Sequence, residues 1–69
     1  MRNDVKAHRT QQRWSQAALA AELGVSRQTI IAIENGKYDP SLPLAFKLAA
    51  IFGATIEEIF HPDEDVQPS

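Results

Sequence analysis

Arg27, Gln28 and Thr29 stand in succession after Ser26, and Ile31 and Ala32 follow within one further turn. Arginine donates two parallel hydrogen bonds to guanine O6 and N7, and glutamine pairs bidentately with adenine N6 and N7. Threonine, alanine or isoleucine packs against a thymine methyl, and each good bidentate pair is worth about 1–3 kcal/mol of discrimination. A second group, Gln16, Ser26, Asn35, Lys37 and Tyr38, supplies donors for phosphate oxygens. Gln16 and Ser26 fall at predicted helix N-termini, where unsatisfied backbone N–H groups and the helix macrodipole favour an anion; Asn35, Lys37 and Tyr38 come just after the helix that carries Arg27. Other chemistry is missing. There is no cysteine, and His8 and His61 stand far apart in the chain. No nucleophile elbow, P-loop or dinucleotide fingerprint is found. The pattern names no catalytic residue, no metal site and no cofactor. His61 with Asp63, Glu64 and Asp65 would hold a divalent ion only weakly and reads as a solvated acidic run.

The elements that must position these side chains are helical. No stretch alternates apolar and polar residues long enough for a strand, and the capping grammar recurs five times. Asp4 caps a helix from Val5 to about Gln12, with Val5 and His8 on one face. Ser15 caps a second, Gln16 to Leu23, with Trp14 and Leu19 as a hydrophobic staple, and Gly24 ends it. Val25, Ser26 and Ile30 repeat staple and cap for a third helix reaching about Asn35, before Gly36. Ser41 caps a fourth, with Pro43 in its first turn and Gly53 past its end at Phe52. Thr55 and Glu58 form a capping box for a short fifth, with Ala54 and Ile59 as its staple pair. Residues 1–60 are read as one domain and residues 61–69 as a flexible acidic tail.

Two helices joined through Gly24-Val25-Ser26 are the helix-turn-helix geometry, which delivers the second helix into a DNA major groove. Leu19, Leu23, Val25, Ile30 and Ile33 must point inward to hold it, with the small Ala20 where the helices cross. Because Ile30 and Ile33 fill the buried stripe, Ile31 must face away and be exposed. The stretches Ser15-Gln16-Ala17-Ala18-Leu19-Ala20, Leu23-Gly24-Val25-Ser26-Arg27-Gln28-Thr29-Ile30 and Ile33-Glu34-Asn35-Gly36-Lys37-Tyr38 resemble the Cro/CI-type (XRE-family) helix-turn-helix regulators. So do Pro40-Ser41-Leu42, Phe52-Gly53 and Ile56-Glu57-Glu58-Ile59-Phe60, and the likeness is greatest to the short bacterial members. The resemblance implies an all-α, compact, five-helix lambda-repressor-like domain that binds double-stranded operator DNA, usually as a homodimer, to regulate transcription. Two positions depart from the family's habit. Arg13 stands where glycine is usual, and a left-handed arginine costs on the order of 1 kcal/mol, so a different end to the first helix is predicted. His8 replaces a leucine and is read as a packed histidine. Ala17, Ala18 and Ala21 replace charged residues and serve helix propensity.

Net charge is −2, but it is unevenly spread. Residues 1–38 carry Arg2, Lys6, Arg9, Arg13, Arg27 and Lys37 against Asp4, Glu22 and Glu34, a balance of +3; residues 39–69 carry Lys47 against six acids, a balance of −5. One basic working face and an acidic remainder are the consequence. Arg13 adds long-range attraction, and Arg9 either does the same or pairs with a carboxylate such as Glu34, itself read as structural. One recognition helix reads only about four to six base pairs, whereas a two-fold pair reads half-sites about 34 Å apart. A homodimer is therefore predicted, closing through the last helix and the end of the fourth, with Ile51, Ile59 and Phe60 at the interface. A rival reading is an antitoxin-like interaction module, with Phe46, Ile51, Ile59, Phe60 and Val66 around the acidic half as the surface for a toxin-like protein partner. A toxin-like reading frame beside the gene would favour it. The longest apolar runs, Ala17 to Ala21 and Leu48 to Phe52, are five residues each, against about 20 for a bilayer. With no cysteine and no apolar leader after Met1, the chain is read as cytoplasmic, without a membrane partner.

Overall fold

Side-chain caps set most of the helix boundaries. The computed structural model describes residues 1–62 and orders them as β1 (Arg2–Asn3), α1 (Val5–Gln11), α2 (Gln16–Leu23), α3 (Arg27–Glu34), α4 (Leu42–Phe52), α5 (Ile56–Ile59) and β2 (Phe60–His61). The hydroxyls of Ser15, Ser26 and Ser41 accept from the backbone N–H groups of Ala18, Thr29 and Leu44. Thr55 and Glu58 close the capping box in both directions. Hydrogen bonding to the carboxylate from Thr55, its backbone N–H foremost and its hydroxyl next, holds the Glu58 carboxyl below its ordinary range.

The first helix departs from the predicted pattern. Asp4 does not cap with its side chain; its φ of −111° and ψ of 28° lack the extended geometry a cap needs. Its carboxylate instead meets His61 Nε2 at 2.8 Å, and Asn3 Oδ1 accepts from the Val5 N–H at 3.1 Å. At the other end, Arg13 does adopt the left-handed conformation, with φ of 63°. The Arg13 N–H then bonds to Thr10 C=O and the Trp14 N–H to Arg9 C=O, the paired bonds of a Schellman motif. The predicted alternative ending is not taken, because these bonds satisfy two carbonyls the helix would otherwise leave open. Arg13→Gly should therefore stabilise the domain by up to about 1 kcal/mol, the strain relieved less the extra entropy glycine loses. That would raise the melting temperature by up to about 4–8 °C; a lower melting temperature would show that the arginine side chain makes good its own strain.

The helical core is closed by a two-stranded antiparallel sheet that alternation could not announce, since each strand has two residues. Arg2 pairs with His61 and Asn3 with Phe60. His61 thus belongs to the folded domain and not to the tail predicted from 61 onward; the rest of that prediction, from 63 to 69, lies outside the described residues. The core is built from Val5, Leu19, Ala20, Leu23, Ile30, Ile33, Leu44, Ala45, Leu48, Phe52, Ile59 and Phe60. Trp14 and Val25 are half-buried against it. His8 stacks on Phe52 with ring centroids 5.3 Å apart, which is the packed histidine the sequence indicated. No helix among the described residues is long and apolar enough to cross a membrane.

Candidate nucleic-acid interface

The turn between α2 and α3 depends on Gly24, whose φ of 73° is the left-handed region. Three residues later α3 starts, and α2 packs mainly on it. Ile30 and Ile33 are its buried residues. At about 100° per residue, the opposite side of α3 is then a stripe of Gln28, Ile31 and Ala32, flanked by Arg27 and Thr29. Gln28, Ile31 and Ala32, three of the five predicted base contacts, therefore share the outward side of the helix, with Arg27 and Thr29 at its two margins. Arg27 and Gln28 are exposed, while Thr29, Ile31 and Ala32 are half-buried. Ile31 is thus less exposed than predicted. Helical side chains lean back over the preceding turn, which lays Ile31 toward Arg27 and Gln28. The Thr29 hydroxyl lies in hydrogen-bond contact with Ser26 Oγ at 3.0 Å, and its methyl is a further surface for a ligand.

Beneath this surface runs a hydrogen-bonded chain that the sequence showed only at one end. Arg9 is buried, with its side chain 10% exposed, and Glu34 opposite is 4% exposed. Arg9 Nε donates to Glu34 Oε2 at 2.6 Å and Nη2 to Oε1 at 3.3 Å, while Nη1 donates to the Trp14 carbonyl at 2.9 Å. Of the two roles open to Arg9, the ion pair is the one realised, and the buried charge adds no long-range attraction. Gln16 Nε2 donates to Glu34 Oε1 at 3.1 Å, and Gln16 Oε1 receives Arg27 Nε at 3.4 Å. The Gln16 side chain thereby contacts Arg27, and its second Nε2 hydrogen and its backbone N–H at the start of α2 are left for the predicted phosphate contact. Arg27 spends Nε on this contact, and its two Nη groups make no hydrogen bond among the described residues.

Asn35, Lys37 and Tyr38 are exposed in the loop after α3. Its backbone is held by Lys37 N–H to Ala32 C=O at 2.9 Å and Gly36 N–H to Ile33 C=O at 3.0 Å. Asn3 contributes a contact sequence reasoning missed: Nδ2 donates to the Ile33 carbonyl at 2.8 Å, tying the end of α3 to the small sheet. Thirty positions separate the two, so no local pattern could reveal it. Exposed Arg2, Lys6, Arg13, Arg27 and Lys37 keep this half of the molecule basic.

The predicted interface residues divide differently. Ile59 is fully buried within the chain and Phe60 nearly so, while Ile51 is half-buried. Ile59 is excluded from an intermolecular surface because the α5 staple and the core already enclose it.

Fold and site together define a helix-turn-helix DNA-binding domain. The chain belongs to the XRE-type helix-turn-helix family: the family model described as helix-turn-helix matches residues 5–59. It is 58% identical over 65 residues, 94% of this chain and 98% of the relative, to an HTH-type transcriptional regulator of Methanocaldococcus jannaschii. It is 43% identical, over 94% of this chain and 98% of the relative, to the HTH-type transcriptional regulator YgzD of Bacillus subtilis, so the likeness extends over archaeal and bacterial proteins. Among solved structures, a hypothetical transcription factor from Neisseria superposes with a TM-score of 0.72 at 27% identity, covering 80% of this chain and 62% of that one. The hydroxypropylphosphonic acid epoxidase of S. wedmorenis contains a similar fold, with a TM-score of 0.72 at 33% identity over 78% of this chain and 29% of that enzyme. This chain spans under two thirds of either solved chain. The family establishes double-stranded DNA binding in transcription regulation.

Proposed function

We propose that the protein is a homodimeric repressor that reads a palindromic operator with α3 in the major groove. The observation that carries this is the outward stripe of α3: an exposed Gln28 amide beside an Arg27 whose Nη groups make no hydrogen bond among the described residues and whose Nε is linked through Gln16 to a buried ion pair. A pre-set arginine fork loses less freedom on gripping guanine O6 and N7, and the adjacent amide suits adenine. Ile31, Ala32 and the Thr29 methyl supply apolar contact. The backbone N–H groups at the starts of α2 and α3, the latter capped by Ser26, and the side chains of Asn35, Lys37 and Tyr38 take the flanking phosphates. Repression needs nothing more than occupancy of a site that polymerase must also use.

Selection of duplexes from a random pool at near-physiological salt tests the reading. A palindrome with half-sites about one helical turn apart is expected, together with an affinity that falls with salt at a slope of about −0.9 per phosphate neutralised. No enrichment by folded protein, or a slope near zero, would overturn it. Within the enriched site, Arg27→Ala and Gln28→Ala should each lower discrimination at one base position by about 1–3 kcal/mol. Lys37→Ala should weaken all duplexes alike and reduce the salt slope by about 1. A changed sequence preference in Lys37→Ala would show that readers and anchors have been assigned the wrong way round.

A further inference from the structure

An open polar cleft of about 460 Å³ separates the end of the recognition helix from the start of the chain, with residues 1–4 on one side, residues 34–36 on the other and His61 also in its wall. Arg2 and Asn35, far apart in sequence, thus line the same space. The N-terminal segment is braced there. Asn3 Nδ2 donates to the Ile33 carbonyl at 2.8 Å, the Asp4 N–H donates to the Ile59 carbonyl at 2.8 Å, and Arg2 pairs with His61 across the two-stranded sheet. The Met1 carbonyl lies against Gly36, where a β-carbon would come within 3.6 Å of it. Arg2 is carried on held backbone, not on a loose arm.

The acids around this cleft are committed, and its arginine is not. Glu34 is bound by Arg9 and Gln16, and the Asp4 carboxylate meets His61 Nε2 at 2.8 Å. Asp39 pairs with the Met1 ammonium at 3.3 Å. The Arg2 side chain is exposed and makes no hydrogen bond or ion pair among the described residues, and the same holds for the side chains of Asn35 and Lys37. A guanidinium, an amide and an ammonium are donors that lack an acceptor. A phosphodiester supplies one, and the planar guanidinium matches two of its oxygens at once. Each strand of a duplex carries a phosphate about every 3.4 Å along the axis, so a backbone held by Asn35 and Lys37 brings further phosphates to the cleft.

We propose that Arg2 grips a backbone phosphate of the bound DNA and that the β1–β2 sheet is the device that positions it. This rests on the DNA-contact reading above and adds to its anchors a residue outside the helix-turn-helix. Affinity for the selected duplex, measured across salt concentration, tests it with Arg2→Gln, Arg2→Lys and Lys47→Gln. Arg2 and Lys47 are both exposed, so all three variants should keep the circular dichroism and melting temperature of the parent. Arg2→Gln should bind matched and mismatched duplexes alike about 10-fold more weakly at low salt, with a salt slope smaller by about 0.9 for each protomer on the DNA. Arg2→Lys keeps the cation and should keep the slope. Lys47→Gln removes a cation from the acidic half and should change neither slope nor affinity. Asn3→Ala cuts the tie between the strand and α3, so adding Arg2→Gln to it should cost less than Arg2→Gln costs alone; an undiminished second loss would show that the sheet does not position Arg2. An Arg2→Gln slope equal to the parent's, or a loss no greater than that of Lys47→Gln, would overturn the contact and leave the DNA reading standing. A parent slope near zero would overturn both. Millimolar inorganic phosphate should leave the melting temperature of the free protein unchanged; a rise that Arg2→Gln abolishes would show that the cleft takes a free anion, and would overturn the DNA backbone as its ligand.

Discussion

Glu34→Ala should cost about 3–5 kcal/mol and leave the domain partly unfolded at room temperature. The substitution removes the carboxylate that, among the described residues, alone pairs with the Arg9 guanidinium, whose Nε and Nη2 both donate to it. Arginine does not give up its proton, so the cation would stay in a site where its side chain is only 10% exposed. Breaking one side of a buried pair carries the desolvation penalty of the survivor, which sets that magnitude. A domain of this size is stable by only about 0.05–0.15 kcal/mol per residue, so the loss takes most of what there is. Replacing both partners with Arg9→Met and Glu34→Leu should restore most of the stability, because packed apolar side chains of similar volume are often neutral or better in such a place. Thermal denaturation at fixed protein concentration checks both. A fall of less than about 4–8 °C for Glu34→Ala, the equivalent of 1 kcal/mol, would mean that Arg9 escapes to water and the pair behaves as a surface one. The restored double variant should still read DNA less well than the parent, since Gln16 would lose its Glu34 anchor and with it the means of fixing Arg27.

The helices were legible because their signals are local. Ser15, Ser26, Ser41 and the Thr55–Glu58 box each act within three residues, and all four caps form as spacing alone indicates. The recognition stripe was legible for the same reason, since Ile30 and Ile33 fix which side of α3 is buried. What stayed hidden depends on distant partners. Asp4 has the residue type of a cap, but a histidine near the other end of the described chain competes for its carboxylate. The β1–β2 pair is too short for alternation and joins residues some 58 positions apart. Ile59 looks available on a short terminal helix, and only the three-dimensional fold shows that the core encloses it.

Leu23→Ala should cost about 2–5 kcal/mol, the range for truncating a buried leucine, and it separates the scaffold from the reading surface. Leu23 is the last residue of α2 and is buried where the chain turns through Gly24 toward α3. The methyls removed are those nearest the turn that sets the angle between the two helices. The cavity cannot close easily, because the left-handed Gly24 and the Ser26 cap fix the backbone beside it. Melting should drop by about 4–8 °C per kcal/mol lost, whereas Gln28→Ala, on the exposed side of α3, should leave melting within about 0.5 kcal/mol of the parent. The two variants should therefore trade effects: one loses stability and, where still folded, keeps its sequence preference; the other keeps stability and loses preference. If Leu23→Ala melted like the parent, the α2–α3 angle would have to be held by the polar chain from Arg9 to Arg27 alone, and the hydrophobic side of the helix-turn-helix would be dispensable. With twelve apolar residues in the core among the described residues and no cysteine to form a disulfide, that outcome would contradict the packing on which the placement of Arg27 and Gln28 depends.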